Sequence, residues 1–296
     1  METAAGLTPE RVLRRLEWQV IRRLDGRLQG DYRTLLRGHG TDFLDLRDYQ
    51  WGDDVRHIDW NVTARMDELF VREFMEDREL TAWLLLDRSR SMAFGTVERT
   101  KEQVLCELAA TMGQLFVRGG NRIGAIVYDG DRQWTIPPRQ GRNQVLALVR
   151  ELLRPLDGGS VTDLNRLLDN AARLVRRRSL VVLISDFISE PGWDRSLLRL
   201  TERHEVVAVR LIDPREYELP DAGLLVVQDA ETGEQLVVDS SDPELRRRLL
   251  AAAEDQDWAI HRAVTRAGVN LHVVSTEEDL VSAFVRMAAP RRGRRS

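Results

Sequence analysis

Residues 81–91 read TAWLLLDRSRS, and the fold turns on this stretch. Its first seven residues form an apolar run of strand length that closes on Asp87, the pattern of a strand buried on both faces of a parallel sheet. Working outward, residues 99–117 place Val104, Leu105, Leu108, Met112, Leu115 and Phe116 at helical spacing, and NRIGAIVYD (121–129) follows as a second strand. WTIPPR (134–139) suits an edge strand, because proline cannot donate to a ladder. Helical patterns over 142–154 and 162–177 lead into SLVVLISDF (179–187), a third buried strand, and a helix near 193–203 feeds EVVAVRLID (205–213). Alternation of this kind predicts an α/β, Rossmann-like domain whose mainly parallel sheet is flanked by helices. Past it, LLVVQDAETGEQLVVD (224–239) reads as a hairpin. A helix over 243–267, the strand VNLHVVS (269–275) and a last helix capped by Thr276 complete the series.

Upstream, Thr8 and Pro9 mark a helix start, and Leu13, Leu16, Val20 and Leu24 recur on one face. From Gly38 to Glu79 the chain is rich in aromatics, Asp and Arg without a sustained helical period. LFVREF (69–74) alternates like a strand, and the polar MEDREL separates it from TAWLLLD, so these two are expected to be neighbouring strands. The expected organisation is an N-terminal helix and β-rich extension over 1–79 packed on a main domain over 80–290. A basic tail, 291–296, ends the chain.

The 296 residues are 43% apolar and 31% charged, ordinary for a globular protein and long enough for a real core. Cys106 is the single cysteine, which excludes an internal disulfide and any thiolate-built metal site. A net charge of -4 argues against general nucleic-acid or membrane binding, and no apolar run reaches the roughly 18 residues of a membrane helix. No signal-peptide pattern is visible in METAAGLTPE, so the expected location is cytoplasmic. Of the 44 cationic side chains only Lys101 is a lysine, a bias read as genome composition.

Ligands of open parallel sheets sit beyond the strand carboxyl ends. There Asp87, Ser89 and Ser91 alternate in an extended turn, Asp186 follows the third strand, and Thr162 begins a helix after Gly158 and Gly159. Two carboxylates and three hydroxyls make a hard, oxygen-only set suited to Mg2+, with Mn2+ or Ca2+ as alternatives. The five histidines show no metal-ligand spacing. There is no GxSxG elbow and no Walker A sequence, which argues against a serine hydrolase and against nucleotide binding by a P-loop.

These residues resemble the metal-ion-dependent adhesion site of von Willebrand factor type A domains. The whole chain resembles a bacterial family of such domains catalogued as domain of unknown function 58. The resemblance rests on DFLDLRDYQWGDDVRHIDWNVTAR (42–65), with Arg47, Tyr49, Gly52, Asp53, Asp54, Arg56, Asp59, Trp60 and Arg65, then on VREF, DRSRSM, LVVLISDF and DPREYELPDAGLL. It implies that Ser89, Ser91 and Thr162 bind Mg2+ directly, that Asp87 and Asp186 act directly or through water, and that an acidic partner side chain completes the shell. It further implies cooperation with a MoxR-type AAA+ ATPase in maturing or assembling client proteins. Ser160 is the alternative ligand should Thr162 be displaced, and Arg88 and Arg90 are expected to point outward toward a partner. Within GDDVRHIDW, Arg47, Arg56 and Arg65 interleave with the aspartates, which reads as an ion-pair network packed around Trp60. The expected function is a non-enzymatic, Mg2+-dependent binding module. A Mg2+-dependent phosphohydrolase and a scaffold with a vestigial site are the rivals.

Overall fold

The computed structural model describes residues 8–24, 46–50, 55, 58, 60–66, 68–72, 80–95, 99–155, 162–228 and 235–288. The chain divides into two compact units, residues 37–79 and the remainder.

In the larger unit, helix α1 (Pro9–Leu16) starts as expected, with the Thr8 hydroxyl accepting from the Arg11 amide and proline in the first turn. A π-helical turn, Glu17–Ile21, continues it. The smaller unit contains strand β1 (Leu46–Asp48), helix α2 (Trp60–Met66) and strand β2 (Phe70–Arg72). Back in the larger unit come β3 (Thr81–Asp87), α3 (Lys101–Arg118), β4 (Arg122–Tyr128), β5 (Gln133–Arg139), α4 (Arg142–Leu152), α5 (Leu164–Leu174) and β6 (Leu180–Ser185). Then follow α6 (Trp193–Thr201), β7 (Glu205–Ile212), β8 (Leu224–Gln228), β9 (Gln235–Asp239), α7 (Pro243–Arg266), β10 (Asn270–Ser275) and α8 (Leu280–Ala288).

The main sheet runs β10-β7-β6-β3-β4-β5. All its pairings are parallel except β4 with β5, the edge strand that carries the two prolines. It is the mainly parallel, helix-flanked α/β sheet that the strand and helix alternation predicts. β3 lies centrally, and its alternation supplies two cores: Ala82, Leu84 and Leu86 face one, with Val104, Leu108 and Phe116 of α3, while Trp83 and Leu85 face the other, with Leu167, Leu168 and Leu197. Burial on both faces is why the strand reads as a continuous apolar run. Val12, Leu13 and Leu16 of α1, with Val20, Ile21 and Leu24 beyond it, join the first core. Arg15 pairs with Glu107 and Arg118 with Glu17, fixing α1 against α3.

Two expectations are corrected. β2 pairs antiparallel with β1, not with β3, because the alternating segment finds its backbone partner inside its own unit. Residues 60–66 are helical although the segment lacks a sustained helical period; seven residues are two turns, too few for a periodic signal. The hairpin of β8 and β9 forms as expected, and its turn lies outside the described residues. Among the described residues no helix is long and apolar enough to cross a membrane.

Gly124 sits where the β4–β5 register shifts. A Cβ there would lie 2.9 Å from the Ile136 carbonyl oxygen and 3.0 Å from the Pro138 nitrogen, both backbone atoms unable to swing aside. Gly124→Val should therefore lower unfolding stability by about 2 kcal/mol or more, measured by urea denaturation.

Candidate functional site

The parallel pairing Leu86↔Ile184 brings the carboxyl ends of β3 and β6 side by side, so Asp87 and Asp186 emerge at one edge. Both are buried, as are Ser89, Ser91 and Thr162. The turn after β3 is held by Asp87 itself, whose Oδ1 accepts from the Ser89 amide at 3.0 Å. Ser89 and Ser91 are linked through their hydroxyls at 3.1 Å, and Ser91 lies in a 3₁₀ turn, Arg90–Ala93. Thr162 precedes α5. Its carbonyl accepts from Glu190, and the next amide, Asp163, donates to the buried Tyr128 hydroxyl at 3.0 Å. Gly158, Gly159 and Ser160 lie outside the described residues.

Four residues with no assigned role in the sequence reading complete the edge. Ser185, the last residue of β6, donates to Asp87 Oδ2 at 2.7 Å and accepts from the Phe187 amide at 2.8 Å. Phe187 is held at φ 63°, a costly backbone for a bulky residue, and its ring packs tilted against Trp193 with centroids 5.2 Å apart. Lys101, fully buried at the first position of α3, donates to Asp186 Oδ2 at 2.7 Å and also to Glu216, in the turn after β7. Signals for two of them were present: Lys101 is the lone lysine among 44 cations, and Glu216 lies inside DPREYELPDAGLL.

The charges are unevenly balanced. Burial, then the nearby Asp186, pushes the Asp87 carboxyl up to about 6, against the opposing hydrogen bonds from Ser185 and Ser89. Burial alone would lower the Lys101 ammonium, yet Asp186 and Glu216 outweigh it and hold it above its ordinary value. Cys106 is buried and its thiol pushed up to about 12, chiefly by burial, so it is a packing residue and no nucleophile.

Arg88 does not point outward. Its side chain is buried, bonding Glu102 in the first turn of α3, the Glu151 carbonyl in the last turn of α4 at 3.2 Å and the Arg154 carbonyl just beyond it at 3.0 Å. A planar guanidinium suits this cluster of acceptors at a helix carboxyl end. Arg90 is exposed. In the smaller unit Trp60 is 65% exposed, and most members of the ion-pair network expected around it lie outside the described residues. The Arg47 backbone pairs with Val71, the Tyr49 amide donates to Leu69 and Arg65 is exposed. Gly52, Asp53, Asp54, Arg56 and Asp59 lie outside the described residues. Thr276 does not cap α8 either: its hydroxyl donates to Asp213 at 2.7 Å, and Asp279 takes the Ser282 amide.

The family model described as "Protein of unknown function DUF58" matches residues 45–259. The chain belongs to the DUF58 family. An uncharacterized protein of Mycobacterium tuberculosis is 39% identical to this DUF58 chain over 283 residues, 95% of this chain and 89% of the relative. Two solved structures show weaker likeness. An aerotolerance-related membrane protein from Bacteroides fragilis (TM-score 0.44, 17% identity) covers 70% of this chain and 96% of its own. The VWA domain of SpRpn10 (TM-score 0.40, 11% identity) covers 71% of this chain and 95% of its own.

For the DUF58 chain the raised Asp87 carboxyl has a stability consequence. Its folded value lies above the ordinary 3.8, so its ionisation penalises the folded state increasingly as pH rises through that interval to about 6. With chelator present, Asp87→Asn should melt above wild type at pH 8, by on the order of 2 kcal/mol. The gap should close toward pH 4, which thermal melts across the range will check.

Proposed function

We propose that this protein is a non-enzymatic binding module that uses a divalent cation, Mg2+ first, to engage an acidic partner. The observation that carries the reading is the convergence at one sheet edge of Asp87, Ser89 and Ser91 with a second buried carboxylate, Asp186. Burial, then the neighbouring Asp186, raises the Asp87 carboxyl, and a bound cation would offset both. Among the described residues no group of three or more His, Cys, Asp or Glu side chains could hold a metal, so a cation here depends on hydroxyl oxygens as well. That donor set fits a hard ion such as Mg2+, with Mn2+ or Ca2+ as substitutes. Asp87, Ser89, Ser91 and Thr162 would hold it, with Asp186 at hand. When bound, the ion supplies a positive centre that a partner carboxylate can complete.

The surroundings favour protein contact. Arg90 and Phe94, on the turn that carries Ser91, are exposed and offer a cation and an apolar ring. The β8–β9 hairpin exposes Leu224, Val226 and Val237 on one face, an apolar surface of the kind that marks interaction sites. The partner in this reading is a MoxR-type AAA+ ATPase acting on a client protein, an assignment that rests on the family resemblance. A phosphohydrolase would need a carboxylate free to take a proton from water. Asp186 is committed to Lys101, which favours binding over catalysis.

Isothermal titration of the chain with Mg2+ should give a binding signal that Asp87→Ala abolishes, and capture of a MoxR-type ATPase from the same organism should weaken in EDTA. If Asp87→Ala binds Mg2+ as wild type does and capture persists in EDTA, the metal bridge is wrong. Phosphoester turnover that disappears in Asp186→Ala would establish the hydrolase instead.

A further inference from the structure

The carboxylates at the sheet edge are not equivalent. Both oxygens of Asp186 are taken, Oδ2 by the Lys101 ammonium at 2.7 Å and Oδ1 by the Ile188 amide at 3.0 Å. Asp87 receives hydrogen bonds from neutral donors, the Ser89 amide and the Ser185 hydroxyl. Lys101 itself is an anomaly. It occupies the first position of α3, inside the Thr100–Gln103 capping box, where the helix dipole disfavours a cation. It is fully buried, its second partner is Glu216, and its ammonium lies 5.9 Å from the centre of the Phe94 ring. Every other cationic side chain besides histidine is arginine. The one lysine stands where a compact point charge has to sit between two carboxylates from different elements, a place the wider guanidinium fork suits poorly.

We propose that Lys101 is a tethered cation that neutralises Asp186 and keeps it out of the divalent-metal shell, so that the ion is held by Asp87, Ser89, Ser91 and Thr162. The inference rests on the metal-dependent reading above and assigns Lys101, with Glu216 as its anchor, as the residue that sets the affinity of the site. With Asp186 offset internally, an ion on Asp87 keeps uncompensated positive charge for an acidic side chain of the partner. The arrangement trades tight metal binding for partner attraction.

The test is isothermal titration of the full chain with Mg2+ alone and with Mn2+ alone, melting curves confirming that each variant folds. Asp186→Asn should bind within about threefold of wild type while Asp87→Asn loses the signal, because ligand charge count sets affinity and only Asp87 contributes. Lys101→Met with Glu216→Gln removes the tether and its anchor together, and should bind at least about tenfold tighter as Asp186 joins the shell. Asp186→Asn is the decisive variant, since Lys101 there retains Glu216 and the interior stays charge-balanced. Loss of binding in Asp186→Asn equal to that in Asp87→Asn overturns the tether and leaves the metal-dependent function standing. Silence in wild type with binding in the Lys101→Met, Glu216→Gln double variant overturns the proposal, because Lys101 would then block the site instead of setting its affinity, and removes the metal-dependent function. Silence in every folded variant removes both.

Discussion

Two buried carboxylates at the ends of adjacent parallel strands are the constraint on which the upper edge of this protein depends. The register that pairs Leu86 with Ile184 leaves no choice about where Asp87 and Asp186 emerge, and burial strips both of the water that would otherwise separate their charges. The surrounding chain is arranged to meet that cost. Lys101 crosses from α3 to Asp186, and Ser185 turns its hydroxyl to Asp87. Removing one member of a buried ion pair typically costs about 3–5 kcal/mol, because the survivor is left charged and dry. The pair is therefore better seen as a condition for placing a second carboxylate at this edge than as a source of net stability.

The same logic extends along the sheet. After β7, Asp213 begins a capping box with Glu216 and accepts from Thr276 beyond β10 at 2.7 Å. Arg99, just before α3, donates to the Thr276 and Glu278 carbonyls and to Glu107. Arg210 reaches back from β7 to the Asp186 carbonyl and pairs with Asp257 of α7. Each strand end is thereby tied to a neighbouring turn. A rigid edge suits a site that must present oxygen atoms from three separate segments without rearranging them.

Much of this was legible in the residues and some was not, for definite reasons. The buried strands announce themselves because both faces of β3 and β6 are apolar, and the cap at Thr8 sits where a side-chain oxygen meets a free helix amide. The alternation of Asp87, Ser89 and Ser91 likewise follows from the local chain. Beyond being the lone lysine, Lys101 carried no sign of a site role, because its partners lie 85 and 115 positions away and a lysine opening a helix normally reads as solvated. Arg88 was misread for the complementary reason: adjacency to the site suggested a partner contact, whereas its acceptors come from α3 and the end of α4. Thr276 looked like a cap, but a strand-end hydroxyl beside Asp213 has a better acceptor than a helix amide.

The two buried cations near the site show how acceptor geometry selects side chains even in a chain so biased toward arginine. The Arg88 guanidinium spreads over one carboxylate and two carbonyls at a helix end, several acceptors around a plane, which a single ammonium could not span. Lys101 meets two carboxylates at a junction of α3, β6 and the turn after β7, where charge must be concentrated. Because Arg88 is drawn off toward α4, its charge does not replace a cation at Asp87, although the two are consecutive. Asp87 is thus left with neutral hydrogen bonds in a dry setting, while its neighbour Asp186 is matched by an internal charge. The asymmetry is built by the fold, and it singles out Asp87 as the point at which an external cation would gain most.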